Sequence, residues 1–381
     1  MTNEVYLIDV TNKSEDNIPQ KIQTLYETTQ FNDRIQKNDN IAIKTQFIES
    51  HDTTYIKPEY IEPIIESIKE KEASPFLTDT NTLFNGKRSN TDKHLEAANE
   101  KGFFDLNIPL IIANNTPADE IEVKISKAVF DKVKVAKEIY DSDAMIVISH
   151  ITGHTLTGYS GAIKNTGSGC ATRNGKIEQH KLAAPFISRI ACLACNVCID
   201  LCPEEAITVD SIAHIDYDKC IGCNNCISDC PTDAIKLNKI KSEEYMKAVT
   251  EYAYGAIENK KDKTLYINIL LNINPDSDCN SYDQNPIVDD IGILASYNPV
   301  AIDQASYDLI NKQEGNENSM LKNNHDPEKD KFKGLWRNID SYFQFDYGDE
   351  IGLGSKKYNL IKIYRGYYER NRRNQQKIRG T

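Results

Sequence analysis

Two stretches, CLACNVCIDLCPEEAI at 192–207 and CIGCNNCISDCPTDAI at 220–235, hold eight of the ten cysteines in the chain. Each stretch spaces its cysteines as C-x2-C-x2-C-x3-C and places proline after the last one. The two stretches also share an asparagine, two isoleucines and an alanine at equivalent positions, so they form an internal repeat. The eight cysteines are Cys192, Cys195, Cys198, Cys202, Cys220, Cys223, Cys226 and Cys230.

This spacing is the ligand run of bacterial-type ferredoxins that hold two cubane [4Fe-4S] clusters. Two-residue gaps let three successive sulfurs curl around one cluster, whereas the fourth sulfur reaches across to the other cluster. The prolines end the short helix that would otherwise follow each fourth cysteine. The sequence therefore predicts two [4Fe-4S] clusters with two ligand sets: Cys192, Cys195, Cys198 and Cys230 for one, and Cys220, Cys223, Cys226 and Cys202 for the other.

Zinc ribbons and a disulfide framework are the alternative interpretations of these cysteines. Zinc ribbons use pairs of C-x2-C at long separations, and they would leave the third cysteine of each run without a role. Eight thiols so close together in a long chain argue for metal binding rather than for disulfides.

The composition excludes several classes of function. The chain has 381 residues, 39% hydrophobic and 27% charged, with a net charge of −12. An acidic protein is a poor partner for nucleic acid, and no apolar run reaches the length of a membrane span. The N-terminal stretch MTNEVYLIDVTNKSED lacks the basic start and apolar core of a secretory signal. We therefore expect a cytoplasmic protein with no membrane span and no nucleic-acid partner.

The charge pattern bears on partners. Between Arg189 and Ile235 eight acids stand against two bases. An acidic surface beside redox groups would steer a basic redox partner protein, although the same charge also serves solubility alone. The basic tail at 366–381 is either a solvated end or a contact for RNA or a membrane surface. The acids are Asp200, Glu204, Glu205, Asp210, Asp216, Asp218, Asp229 and Asp233.

Apolar runs and amphipathic stretches alternate on both sides of the cysteine runs, which is typical of a parallel sheet covered by helices. We predict strands at 5–10, 41–47, 109–113, 144–149, 264–273 and 358–364. We predict helices at 18–28, 59–71, 91–101, 130–140, 242–259, 299–312 and near 335–345. The predicted fold class is α/β with a mostly parallel sheet and an inserted bacterial-type two-[4Fe-4S] ferredoxin module of α+β type. Its parts are 1–184 and 241–365 for the α/β domain, 185–240 for the ferredoxin-like module and 366–381 for the tail.

A glycine-rich stretch, GHTLTGYSGAIKNTGSGCATRNGK at 153–176, follows the predicted strand AMIVISH. Ligands of open α/β sheets bind beyond the carboxyl ends of the strands, and glycines let backbone amides approach an anion. The stretch is neither a Walker loop nor a dinucleotide fingerprint, and a compact loop with tight turns would explain the same glycines. The candidate catalytic or ligand-binding residues are His150, His154, Lys164, Cys170 and Cys279, with Arg173 and His180 beside them.

Three polar patches are further candidates to join this loop in space, although each alone is typical of a turn or a helix cap. Asn90 is predicted to cap the helix that follows it. Cys279 lies beside two acids, which would raise the pKa of its thiol and argue against a free nucleophile. The patches are FLTDTNTLFNGKRSNTDKH with Asp79, Asn81, Lys87, Arg88, Asn90 and His94, KTQFIESHDTTYIKP with Lys44, His51 and Lys57, and NPDSDCN with Asp276, Asp278 and Cys279.

The order of these motifs, followed by NPVAID and DEIGLGSKKY, resembles the DUF362 family of uncharacterised iron–sulfur proteins. The resemblance runs from about Ile41 to Tyr364. It implies an α/β domain paired with a two-cluster ferredoxin module, and it implies cofactors more than a reaction. The chain departs from the family at Asn298-Pro299, where Asp-Pro is common, and at Cys279, where a second cysteine often stands nearby.

Three functional hypotheses follow. The first is an electron-transfer protein, and if an enzyme an oxidoreductase, whose α/β domain holds a substrate or a partner. His150, His154 and Lys164 would then supply protons or bind an anion. The second is a non-redox or metallocofactor-handling enzyme with structural clusters and an active site in the glycine-rich loop 153–175. The third is a carrier with an inert α/β scaffold.

Overall fold

The computed structural model describes residues 3–11, 17–47, 54–113, 117–276 and 285–363. Its strands are β1 Glu4–Asp9, β2 Asn40–Lys44, β3 Ser74–Thr80, β4 Leu110–Ala113, β5 Glu120–Lys124, β6 Lys132–Ala136, β7 Ala144–His150, β8 Thr152–His154, β9 Gly158–Ser160, β10 Phe186–Ile187, β11 Ile207–Val209, β12 Ala213–Ile215, β13 Ile235–Lys236, β14 Thr264–Leu270, β15 Gly292–Ser296 and β16 Asn359–Lys362. Its α-helices are α1 Ile18–Thr29, α2 Pro58–Lys69, α3 Thr91–Glu100, α4 Lys137–Asp141, α5 Ala162–Gly167, α6 Arg173–Lys181, α7 Val197–Asp200, α8 Asn225–Ser228, α9 Ser242–Ala256, α10 Pro299–Asn311, α11 Lys331–Leu335 and α12 Tyr342–Glu350.

Eight of these strands form one sheet in the order β16-β1-β15-β14-β7-β2-β3-β4. Strand β15 pairs antiparallel with both of its neighbours, β1 and β14. The other neighbouring strands of the sheet pair in parallel. The predicted α/β fold with a mostly parallel sheet is therefore confirmed.

The sheet is buried on both faces. Successive side chains of a strand point to opposite faces, and in β7 Met145 and Val147 join one apolar core while Ile146 and Ile148 join the other. Helices α5, α9, α10 and α12 contribute to the first core, and helices α1 and α2 contribute to the second. Burial on both faces explains why β7 and β14 are almost continuously apolar.

Residues 185–240, which we call the cysteine segment, lie outside this sheet. Within the segment β10 pairs antiparallel with β13, and β11 pairs antiparallel with β12. The segment has its own small apolar core, in which Ile207, Ala213 and Ile235 pack with the buried thiols Cys198 and Cys226. Strands that precede it in the sequence and strands that follow it belong to the same large sheet.

One predicted helix is wrong. The stretch 130–140 forms strand β6 and then the short helix α4. Val133 and Val135 alternate with lysines, which is the period of a strand, and β6 pairs with β5 in a hairpin. The predicted cap at Asn90 is confirmed, because its side-chain oxygen accepts a hydrogen bond from the Lys93 backbone N–H at 3.0 Å.

The topology defines the edge at which a ligand site would lie. The parallel strands β2, β3, β7 and β14 end at Lys44, Thr80, His150 and Leu270. Because parallel strands end at the same edge, the loops that follow them meet there.

Candidate functional site: two cysteine-lined cavities and the adjoining sheet edge

The first four-cysteine group lines a cavity within the cysteine segment. Its thiols come from the first run and from the end of the second: Cys192, Cys195, Cys198 and Cys230. Burial raises the pKa of the Cys198 thiol, and the nearby Cys195, Cys192 and Cys230 raise it further. Four thiols from two separate runs therefore share one small volume.

The second four-cysteine group combines the two runs in the opposite way. Its cavity is lined by Cys202 from the end of the first run and by Cys220, Cys223 and Cys226 from the second run. Burial raises the pKa of the Cys226 thiol to about 12, and the neighbouring Cys223, Cys220 and Cys202 add to the rise. Such thiols ionise when a metal supplies positive charge beside them.

The two runs repeat each other in backbone conformation as well as in sequence. Helices α7 and α8 occupy equivalent positions, each starting after a left-handed asparagine, Asn196 or Asn224. The left-handed positions of the first run, Ala194, Asn196 and Glu205, have left-handed counterparts at Gly222, Asn224 and Asp233. The repeat therefore builds two equivalent loops related by an approximate internal symmetry.

Main-chain N–H groups point at several of the sulfurs. The Ala206 N–H donates to Cys202 Sγ at 3.2 Å, and the Ala213 N–H donates to Cys192 Sγ at 3.3 Å. Burial opposes ionisation of Cys230, but hydrogen bonds from backbone N–H groups, including those of Ile235 and Thr232, hold its pKa below the usual value. Such bonds favour the thiolate, which is the form that binds metal.

The two cavities differ in their surroundings. Cys195 in the first is exposed, and the side chains of Leu193 and Ile190 are 71% and 100% exposed. The second cavity instead lies against the α/β part of the chain, where the side chain of Asn225 accepts a hydrogen bond from the Asn85 N–H at 3.0 Å. One cavity therefore faces outward and the other faces the sheet edge.

Gly222 makes a close contact between the cysteine segment and helix α6. A Cβ added at Gly222 would lie 2.5 Å from the His180 carbonyl oxygen, and the φ of Gly222 is +68°.

We expect Gly222→Ala to lower the free energy of unfolding by about 1–3 kcal/mol. Denaturant unfolding will measure this change. The matched control is Ala194→Gly at the equivalent position of the first run, where φ is 52°; relief of left-handed strain should leave that variant at least as stable as the parent. Equal stability of Gly222→Ala and the parent would contradict the close contact.

Beside the second cavity, the sheet edge holds a buried charge cluster made from two of the predicted polar patches. The Lys44 ammonium lies 2.9 Å from Asp79 Oδ1, and Arg88 and His94 approach Asp79 Oδ2 at 3.8 and 3.5 Å. Burial opposes ionisation of Asp79, but Lys44, His94 and Arg88 together hold its pKa well below its usual range. Asp79 is therefore a fixed negative charge rather than a proton donor.

Lys176 adds a second buried ammonium group to this edge. Its Nζ donates to Thr80 Oγ1 and to the Asn81 carbonyl, each at 2.5 Å. Burial lowers the pKa of Lys176 to about 7, against the opposing effect of Asp79. Lys176 is not among the residues that the sequence motifs pointed to; a lysine placed directly after a glycine-rich run, on a helix with no apolar stripe, is the signal that would have found it.

The candidates of the glycine-rich stretch have mainly backbone partners. His150 Nε2 lies 2.8 Å from the Leu271 carbonyl, and His154 Nδ1 accepts from the N–H groups of Leu156 and Thr157 at 3.2 Å. Cys170 is fully buried, and burial raises its pKa to about 11. Burial is the main reason that the pKa of His154 lies well below its usual value, and the nearby positive charge of Lys164 lowers it further. Cys279 and His51 lie outside the described residues.

Asp303 of helix α10 fixes the start of helix α5. Its carboxylate accepts hydrogen bonds from the N–H groups of Ala162 and Ile163, each at 2.8 Å, and from the Asn268 side chain at 2.8 Å. The Tyr159 hydroxyl donates to the same carboxylate at 3.1 Å. The NPVAID motif thus positions the glycine-rich stretch, while Cys170 and the buried cluster lie at its far end.

Free thiols line both cavities of the cysteine segment. In the described part of the chain, no group of three or more His, Cys, Asp or Glu side chains is arranged to hold a single metal ion. The nine described cysteines are all free thiols. In each four-cysteine group the thiols line one small cavity. Across the described ranges, none of the helices is long and apolar enough to span a bilayer.

Comparisons with known structures return distant similarities. The chain is similar to the lactate racemase apoprotein from Thermoanaerobacterium thermosaccharolyticum, with a TM-score of 0.35 and 14% identity over 70% of this chain and 50% of that one. A protein from Thermotoga maritima is similar with a TM-score of 0.32 and 11% identity over 66% of this chain and 49% of that one. The chain therefore spans about half the length of either structure.

Comparison of the sequence with protein families is more specific than comparison with known structures. No curated protein matches the chain. The family described as "Domain of unknown function (DUF362)" matches residues 41–308. That range begins within strand β2 and ends within helix α10, so it includes the sheet edge, the glycine-rich stretch and the whole cysteine segment. The chain belongs to the DUF362 family.

Proposed function

We propose that this protein binds two [4Fe-4S] clusters and passes electrons between a partner protein and a site on its α/β part. The observation that carries the proposal is the pair of cavities, each lined by three cysteines of one run and the last cysteine of the other. This exchange of the fourth ligand is the arrangement of two-cluster ferredoxins. Residues 185–240 would then be a ferredoxin-like module inserted into the α/β domain.

The residues present suit such clusters. Each cavity offers four thiols and a largely apolar wall, including Val209 and Ile235 at the first cavity and Ile207 and Ile215 at the second. Backbone N–H groups donate to Cys192 and Cys202. Hydrogen bonds to sulfur and exclusion of solvent are the means by which a protein adjusts the reduction potential of a cluster. When bound, each cluster would supply one electron at low potential.

The surroundings of the cavities suggest a direction. The exposed apolar side chains of Ile190 and Leu193 lie by the first cavity, within an acidic stretch of chain. An apolar patch with acidic surroundings fits a basic one-electron carrier protein. The second cavity instead adjoins helix α6 and the loop after strand β3. We infer that electrons enter by the first group of cysteines and leave toward the sheet edge by the second.

The entry surface makes a testable prediction. Leu193→Ser removes an exposed apolar contact without touching a cysteine, so cluster content should stay unchanged. We expect the second-order rate of electron transfer to a basic c-type cytochrome to fall by about fivefold, the effect of a contact worth roughly 1 kcal/mol. Met320→Ser, at a side chain that is 38% exposed and lies outside the cysteine segment, is the matched control. Equal rates in Leu193→Ser and Met320→Ser would argue against this surface.

Reductive titration tests the proposed function itself. Anaerobically reconstituted protein should take up about two electrons per chain at the low potentials of ferredoxin clusters. The matching readout is a cubane EPR signal that grows with each equivalent of reductant. Intact clusters that accept no electrons would contradict electron transfer and would favour the alternative, an enzyme whose clusters are structural.

A further inference from the structure

A cavity of about 380 Å³, lined mainly by residues with polar side chains, lies beside the second group of cysteines. This volume falls within the roughly 300–1,000 Å³ of small-molecule sites. Residues from three parts of the chain line it: the loop after β3, the first residues of helices α3 and α6, and the cysteine segment. They are Asn81, Leu83, Asn85, Ser89, Asn90, Thr91, Arg173 and Pro203.

The charge in this cavity is positive. Arg173 is the cationic residue of its wall, and none of the described lining residues carries a carboxylate. The Arg173 side chain is partly buried, and its guanidinium has no hydrogen-bond or ion-pair partner among the residues that the structure describes. A guanidinium fork presents paired donors that match a carboxylate or a phosphate.

One further basic side chain, Lys176, lies behind the wall of this cavity. Lys176, one turn after Arg173 on helix α6, donates to the carbonyl of Asn81, which itself lines the cavity. The side-chain amide of Asn81 donates to Thr91 Oγ1 at 3.0 Å and is 8% exposed, so this part of the wall is fixed. An anion in the cavity would therefore meet Arg173 directly and the basic group of Lys176 behind the wall.

The cavity is also adjacent to the proposed electron donor. Pro203 lines both this cavity and the cavity of Cys202, Cys220, Cys223 and Cys226. The cavity therefore adjoins the second group of cysteines at Pro203.

We propose that this cavity binds a small molecule carrying a carboxylate or phosphate group, with Arg173 as its anchor. This binding stands on the cavity alone and does not depend on the proposed function. The glycine-rich stretch then contributes Arg173, the first residue of helix α6, to the binding surface.

Calorimetry tests the binding with two probes, inorganic phosphate and malonate, at low ionic strength. We expect saturable binding of at least one probe to the reconstituted protein, and the tighter probe identifies the anionic group. Arg173→Ala should weaken that binding by about tenfold or more, as expected for loss of a charge-assisted pair. Arg337→Ala removes an exposed arginine that does not line the cavity, and it should bind as the parent does.

A second variant keeps the test independent of Arg173. Asn85→Asp places a negative charge on the exposed side of the wall and should also weaken binding. Absence of saturable binding of both probes, or unchanged binding in Arg173→Ala, would overturn the assignment. Iron and sulfide measured on the same samples separate this result from the proposed function, because a cluster-loaded protein that binds neither probe contradicts the cavity alone. Anion binding by protein that cannot assemble clusters contradicts the proposed function but keeps the cavity.

Discussion

Replacing Cys192 and Cys230 together with serine should remove one cluster and leave the other, whereas replacing Cys192 and Cys202 together should remove both. The reason is the exchange of ligands: Cys192 and Cys230 line one cavity, and Cys202 lines the other. Two substitutions in one ligand set therefore damage one site, and two substitutions in different sets damage both. Iron and sulfide per chain, with the EPR signal of the reduced protein, measure the difference.

The single variants Cys192→Ser, Cys202→Ser and Cys230→Ser are the controls for this comparison. The losses of iron caused by two substitutions in one ligand set should be non-additive, whereas the losses caused by substitutions in different sets should add. If Cys192→Ser with Cys202→Ser retained half of the iron, each run would hold its own cluster, and the exchange of fourth ligands would be wrong.

Asp303→Ala should strongly destabilise the α/β part of the chain. Asp303 is fully buried and accepts hydrogen bonds from two backbone N–H groups of helix α5, from Asn268 and from Tyr159. Alanine leaves those buried donors without an acceptor, and each such group costs about 1–3 kcal/mol. We expect the free energy of unfolding to fall by about 3 kcal/mol or more.

Denaturant unfolding of Asp303→Ala and Asp308→Ala will measure this effect. Asp308 lies on the same helix α10 but is partly exposed, and it accepts hydrogen bonds from the side chains of Gln304 and Tyr358. Its loss should therefore cost clearly less. Equal destabilisation by the two substitutions would show that the start of helix α5 does not depend on the Asp303 carboxylate.

Much of the sheet could be predicted from local patterns. The apolar runs at β2, β7 and β14 are evident from sequence because these strands are almost wholly buried. The runs at β1 and β4 are also evident, although these two strands are partly exposed. Local patterns do not predict strand β3, Ser74–Thr80, although it lies between β2 and β4. It begins next to a proline and ends in Thr78, Asp79 and Thr80, so its polar end resembles a loop. All three side chains are buried. Asp79 belongs to the charge cluster of the sheet edge, and Thr80 accepts a hydrogen bond from Lys176.

The candidate site shows where local patterns stop being informative. Lys44 and Asp79 belong to separate patches of the sequence, and only the parallel pairing of β2 with β3 brings the two side chains to 2.9 Å. Lys176 arrives from a third element, helix α6. Such contacts depend on strand order, which spacing along the chain does not encode. The cysteine runs are different, because their spacing itself reflects the geometry of a cluster.

Metal and sulfide analysis with Mössbauer spectroscopy, on protein reconstituted without oxygen, tests the central claim most directly. The account predicts about eight iron and eight sulfide per chain, with the spectrum of [4Fe-4S] clusters. Colourless protein that takes up zinc and contains no sulfide would contradict it.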